Sequence, residues 1–509
     1  MKLMPVSPSS APLPSSDLRR SPIPLVALAL AALSAVAVVV TQMHGWTLYY
    51  GDAEAHLDIA RRVIDSRTPG YDQIGGVWLP LPHALMLPFV SDDRLWRTGL
   101  AGALPSAACF VIAGTFLFAS VSRIFHSNLA ALASLAIFAL NPNLLYLQAT
   151  PMTEPVFFAC LMALLFGTVW FAQSQRFVAA VFAGLAACAG TLTRYEGWFL
   201  IPFATAYIFL TAKHRRWGFA ILFGAIASLG PLYWLAHNWW LAGNPLDFYN
   251  GPYSAKAIQR AQPFPGNHDW LAAFHYFGAA ARLCASWIPI ALATAGLWYA
   301  LRKRIYWPSF LLILPPVFCV WSMHSSVVPI FVPNLWPHSY YNTRYGLALL
   351  PLLALCGGAS IFLAPARLRG PLAIGVAFAT LVPWLVKPSP EAWICWKESQ
   401  VNSEARRAWT HRAASFFEAH YAPGDGIFTS PGDMLGVFRE AGIPLRETLN
   451  DGNEPAWMAA VARPQFFLRE KWAISPSGDP VAAAARRECV LVKTVAEKKV
   501  PTIEIYRRH

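Results

Sequence analysis

Long apolar runs of membrane-crossing length recur along this chain, and they leave few folds open to it. A helix that spans a bilayer needs about 20 mainly apolar residues. About eleven stretches meet that need, near 22–42, 98–120, 128–147, 155–173, 177–193, 197–212, 217–240, 283–301, 306–323, 345–364 and 371–386. Only 13% of the residues are charged, against about a quarter in a soluble domain. The expected class is therefore a polytopic α-helical membrane protein, with 21 Trp available as interfacial anchors.

The connectors between the runs set an orientation. Arg123 with His126, Arg176, Lys213-His214-Arg215-Arg216, Arg302-Lys303-Arg304, and Arg367 with Arg369 fall in alternate connectors. The positive-inside rule puts these turns and the N-terminus in the cytoplasm. The net charge of +13 then belongs mostly to topology, and nucleic acid is not an expected partner. Residues 1–21, rich in Pro and Ser, read as a disordered cytoplasmic segment. The run after them is longer than a signal-peptide core and is followed by further spans, so it reads as an uncleaved first span. Short loops and Ala-rich spans fit a bacterial inner membrane with a periplasmic outer face.

Residues 22–386 thus form the expected transmembrane domain. Its first outer loop, 43–97, is longer than a connector needs. Ala55, Ile59 and Val63 make a helical stripe there beside Arg61 and Arg62, and after Thr68-Pro69-Gly70 a second apolar stretch runs to Val90. Two interfacial helices are expected on the outer face. From 387 to 509 charges return, and a small extracytoplasmic α/β domain is expected. Its helices are placed at Ser403–His420 and from Asp433, and its strands at 426–430, 465–468, 489–492 and 502–506. Cys395 and Cys489 lie in this tail as a candidate disulfide. The other six Cys sit mostly in apolar runs, and no pair has metal-ligand spacing.

The topology gathers the unusual polar residues on one face: Asp52, Glu54, His56, Glu154, Arg194, Glu196, Lys256 and Arg344. Asp52 is the candidate base for a substrate hydroxyl, or else a helix cap. Glu54 and His56 follow at alternate positions, and Asp52, Glu54 and Glu154 are the candidate ligands if a divalent cation is a cofactor. Glu154 orients an acceptor hydroxyl near Asp52, or simply suits the helix dipole beside Pro155. Arg194 binds a phosphate with its planar fork, or pairs internally with Glu196. Arg344, flanked by Tyr341 and Tyr345, is a ligand residue or a snorkelling arginine. Lys256 is a further candidate cation. One or two carboxylates and two or three cations on one face suit an anionic lipid-linked donor and a hydroxyl acceptor.

This arrangement resembles the GT-C superfamily of membrane glycosyltransferases, in its protein O-mannosyltransferase and aminoarabinose transferase branch. The resemblance rests on Gly51-Asp52-Ala53-Glu54-Ala55-His56 with Ala60-Arg61, on Leu79-Pro80-Leu81-Pro82, and on Met152-Thr153-Glu154-Pro155. Leu192-Thr193-Arg194 and Arg344-Tyr345 with Pro351 complete it. It covers roughly residues 22–386 and leaves out the tail. It implies a GT-C fold and inverting transfer of a hexosyl or pentosyl unit from a polyprenyl-phosphate-linked donor to an envelope acceptor. It also implies Asp52 as general base, with Arg194 and Arg344 at the donor phosphate. Two features depart from it: Ala53 separates Asp52 from Glu54, which that branch usually has adjacent, and the outer loop 329–341 has no counterpart. Two other classes compete, a transporter or flippase of lipid-linked sugars and an envelope-assembly protein working through its tail.

Overall fold

The computed structural model describes residues 22–259, 264–430, 432–498 and 500–508. The expected disordered segment 1–21 lies outside the described residues. The chain is a multi-pass helical membrane protein with a small sheet-containing unit after its last span. Among the described residues, seven helices are long and apolar enough to cross a membrane, and eight if a bent pair counts as one span. The seven are Ile23–Met43, Leu100–Phe125, Glu154–Ser174, Arg216–Ala242, Tyr306–His324, and the segments Thr343–Leu363 and Ala366–Val386. The bent pair, Trp270–Ala285 and Trp287–Arg302, turns through 106°.

The remaining expected spans are shorter helices, and local chemistry ends them early. Asn128–Ala139 stops where Asn141 caps a new helix, its side chain accepting from the amides of Asn143 and Leu144. Phe177–Thr191 and Glu196–Thr211 are separated by the polar turn that carries Arg194. At 15 residues, Phe177–Thr191 rises about 22 Å. The bundle core is built from Phe110, Leu117, Phe138, Phe158, Leu165 and Phe171 among many others.

The first outer loop folds as expected into two helices, Gly51–Arg62 and Leu81–Val90, with a 3₁₀ turn at Tyr71–Ile74 between them. They do not lie bare on a membrane surface. Leu57, Ala60, Met86, Val90 and Trp96 of the loop share one core with Trp409, Phe417, Phe438, Trp472 and Ile505 of the tail. The tail therefore packs on the outer loop rather than standing apart beyond residue 386.

The tail opens with a long helix, Ile394–His420, nine residues earlier than expected at its start. Five strands follow: β1 (Ile427–Thr429), β2 (Thr448–Leu449), β3 (Trp472–Pro476), β4 (Cys489–Val495) and β5 (Ile503–Arg508). Their order is β2-β1-β3-β5-β4, with β1 parallel to both neighbours and β5 antiparallel to β3 and β4. The strand expected at 465–468 is instead the short helix Pro464–Phe467, where Pro464 suits a first helical turn. The central strand β3 took its place in the sheet. All eight cysteines are free, so the candidate pair Cys395 and Cys489 does not form. Cys395 is buried against the bundle and Cys489 begins a strand of the sheet.

Candidate active site

Asp52 lies in the first turn of Gly51–Arg62, but Tyr50 holds the N-cap position. The carboxylate makes no cap. Its Oδ2 instead accepts a hydrogen bond from Nη2 of Arg344. Arg344 sits on the 3₁₀ turn Thr343–Leu349, entered through Asn342 at φ 53°. Asn tolerates that left-handed conformation, and its side-chain amide is tied to the carbonyl of Pro329 at 3.0 Å.

Arg344 is the centre of the site. Its Nε donates to Glu154 Oε1 at 3.1 Å and its Nη1 to Glu398 Oε1 at 3.2 Å. Glu398 also accepts from the backbone amide of Arg344 at 3.3 Å and from the hydroxyl of Thr343. Glu154 Oε1 takes a second guanidinium, Arg194, at 3.1 Å. Arg194 in turn donates to Glu196 Oε1 at 2.9 and 2.8 Å. The Tyr345 ring lies 5.0 Å from the Arg194 guanidinium and 5.2 Å from that of Arg344. The result is a chain of charge, Asp52–Arg344–Glu154–Arg194–Glu196, with Glu398 as a branch.

Exposure singles out one member of this chain. Asp52 keeps 44% of its side-chain surface, against 6% for Arg344, 6% for Glu154 and 2% for Glu398. A buried cation thus fixes one oxygen of a carboxylate whose other oxygen is free to meet a ligand. Four carboxylates meet only two guanidinium groups in the network. Burial pushes the Glu398 carboxyl above its usual range, against the opposing pull of Arg344 and the hydrogen bond from Thr343.

Other expected site residues have different company. Glu54 points into the tail and is held by Arg406 and Arg439. Gly436 leaves room for it, because a Cβ there would strike the Glu54 carboxylate. His56 is buried, with Nδ1 2.9 Å from Nε2 of His83 and its ring 4.2 Å from Trp78. Burial, then the nearby Arg344 and Arg194, push its pKa down to about 3, so it stays neutral. Arg61 is fully engaged within the loop by Asp65, Asp93 and the carbonyl of Val90. Lys256 lies apart, donating to Tyr249 Oη at 3.2 Å. Tyr341 is exposed and accepts from Gln259 at 3.2 Å.

The candidate metal ligands Asp52, Glu54 and Glu154 do not converge. Glu54 faces the tail arginines, and Glu154 stands behind Arg344. Among the described residues no group of three or more His, Cys, Asp or Glu is arranged to hold a metal ion.

Sequence reasoning missed Glu398, because the family resemblance ends near residue 386 and the tail reads as a unit of its own. A signal exists: Cys395, Glu398, Ser399, Ser403 and Arg406 recur at helical spacing and all are buried. A polar stripe of that kind on a helix marks a face turned to polar partners. Asn143 sets the start of this helix, its Oδ1 accepting from the Cys395 amide at 2.9 Å while its amide donates to the Cys284 carbonyl at 3.0 Å.

Comparison with known proteins bears on the fold. Residues 96–240 match the family model described as dolichyl-phosphate-mannose-protein mannosyltransferase. No curated protein sequence matches the chain. The fold is similar to that of ArnT from Cupriavidus metallidurans bound to undecaprenyl phosphate, with a TM-score of 0.57 at 14% identity, over 92% of this chain and 97% of that one. The same protein in its apo state gives a TM-score of 0.53, also at 14% identity and the same coverage.

Proposed function

We propose that this chain, a membrane protein of the GT-C glycosyltransferase superfamily, transfers a sugar from a polyprenyl-phosphate-linked donor to a hydroxyl of a cell-envelope acceptor. The observation that carries the reading is the half-exposed Asp52 carboxylate anchored by the buried Arg344. Two comparisons support the donor class: the mannosyltransferase family model over 96–240 and the fold shared with an ArnT that was solved with undecaprenyl phosphate.

In this reading the acceptor hydroxyl attacks the anomeric carbon from the face opposite the phosphate. The new C–O bond forms as the sugar–phosphate bond breaks, and polyprenyl phosphate leaves with the bonding pair. Asp52 takes the hydroxyl proton, and the product is inverted. Nη1, Nη2 and Nε of Arg344 each have a carboxylate partner. Two of its five N–H groups therefore remain for a phosphate oxygen beside the base. Arg194 has four of its five N–H groups committed to Glu154, Thr153 and Glu196, against three for Arg344. It is assigned the role of holding Glu154, and hence Arg344, in place. Glu154 is likewise a positioning residue here, since both its oxygens are buried. The active end faces the periplasm, by the charge of the opposite turns.

The test uses purified full-length protein with polyprenyl-phospho-sugar and an envelope extract. Wild type should release polyprenyl phosphate. Asp52→Asn should cut the rate at least about 100-fold at unchanged thermal stability. Near-full activity in that variant would remove Asp52 from the chemistry. Mass spectrometry of the product then identifies the acceptor.

A further inference from the structure

A second polar feature lies next to this site and plays no part in it. A cavity of about 340 Å³ opens where the end of the first span meets the tail. Gln42, Thr47 and Tyr49 line it from the span side, and Arg407 and Arg439 from the tail, with Arg97 between. Four guanidinium groups border it (Arg97, Arg406, Arg407 and Arg439), against the two carboxylates of Glu54 and Glu440.

Two of the four cations are uncompensated. Glu54 is taken by Arg406 and Arg439, and the Glu440 carboxylate is turned to Nδ1 of His411, 2.6 Å away, rather than to an arginine. Arg97 donates to the carbonyl of Glu440 at 2.7 Å. Arg407 donates to the Ser403 hydroxyl at 3.0 Å and lies 3.8 Å over the Tyr49 ring. Neither has a carboxylate within ion-pair distance among the described residues. Arg439 also borders the cavity, although it is only 8% exposed and both its terminal nitrogens are engaged, by Glu54 and the carbonyl of Arg97.

The level of the cavity gives the class of ligand. Its span-side wall is the outer end of the Ile23–Met43 helix, where lipid headgroups lie. Within one turn of that end, an apolar groove of about 190 Å³ runs along the same span, lined by Leu33, Val36, Val40, Trp46 and Trp393. Planar guanidinium forks match phosphate oxygens. We propose that this cavity binds a phosphate group of a membrane lipid, separate from the donor phosphate at Arg344, and that the bound headgroup bridges the first span to the tail. The bridge follows from the lining, which comes from both sides.

Full-length protein is reconstituted in nanodiscs of phosphatidylcholine alone or with phosphatidylglycerol, and retained lipid is counted by native mass spectrometry. Wild type should keep one phosphatidylglycerol, and Arg97→Gln/Arg407→Gln should lower that occupancy at least tenfold. Inorganic phosphate added to phosphatidylcholine discs reads the same chemistry without the chain. A rise in thermal midpoint with phosphate that the double variant lacks supports a phosphate site filled from solution. Glu440→Gln removes an opposing charge and should tighten either ligand about threefold, which keeps the test open if the double variant folds poorly. Equal lipid retention in wild type and double variant, with no response to phosphate, overturns the proposal. So does weaker binding in Glu440→Gln.

Discussion

Arg344 and Asp52 stand 292 residues apart in the chain and meet side chain to side chain at the mouth of the bundle. The guanidinium is buried and the carboxylate half exposed. Only a fork can hold Asp52, Glu154 and Glu398 at once, each on a different nitrogen. Arg344→Lys keeps the charge but offers a compact ammonium. Its expected effect is a loss of about 100-fold in transfer rate together with a lower thermal midpoint. Both are read on purified protein, by polyprenyl phosphate release and by a melting assay.

Glu398 presents two oxygens to three donors: the Thr343 hydroxyl, the Arg344 amide and Arg344 Nη1. Glu398→Gln replaces one acceptor with an NH₂ group that faces donors. The expected cost is about 1–3 kcal/mol of stability, with a fall in rate because Arg344 loses one of its three anchors. Melting curves and initial rates in the same preparation check it. A variant as stable and active as wild type would take Glu398 out of the network.

Glu54 is the clamp between the outer loop and the tail, and it answers two arginines. Glu54→Gln leaves Arg406 and Arg439 buried without their counter-charge. That should cost about 3 kcal/mol and loosen the tail, seen as faster proteolytic cleavage between residues 387 and 435. A metal ligand would behave otherwise, losing activity with no change in cleavage.

Asp58 supplies a pH signature for the same interface. It is buried, and burial lifts its pKa from 3.8 to about 6 against the opposing pull of Arg439 and a hydrogen bond from Trp96. A carboxyl whose folded pKa is raised binds its proton more tightly when folded. Its contribution is therefore complete below about pH 4 and is lost as pH climbs to about 6. Melting temperature should fall over that window by the equivalent of up to about 3 kcal/mol, and Asp58→Asn should flatten that part of the profile.

The long spans and the outer-loop helices were legible because apolar run length and helical periodicity are local properties, but the expected eleven spans became seven or eight where polar turns cut apolar runs short. The meeting of Asp52, Glu154, Arg194 and Arg344 at one end followed from topology alone, since alternate connectors must share a side. Their pairings were not legible. Arg194 had a near partner at Glu196, but Arg344 chose carboxylates 190 and 54 residues away, and no spacing rule encodes that. Glu54 looked like a partner of Asp52 because a single residue, Ala53, separates them. On a helix that spacing sends side chains to different faces, and Glu54 reaches Arg439 across 385 residues. Gln465-Phe466-Phe467-Leu468 shows the limit of short apolar runs, which fit strand and helix alike.

The polar stripe on Ile394–His420 has a consequence for how the molecule comes into being. Residue 398 is synthesised after every span has been made, and Arg344 lacks its third carboxylate until that helix has crossed and docked. Asp52 and Arg344 are therefore not fixed in their final arrangement during insertion, and a nascent chain holds no finished network while its spans are still being threaded into the bilayer. Completion of the candidate site is coupled to synthesis and docking of the tail.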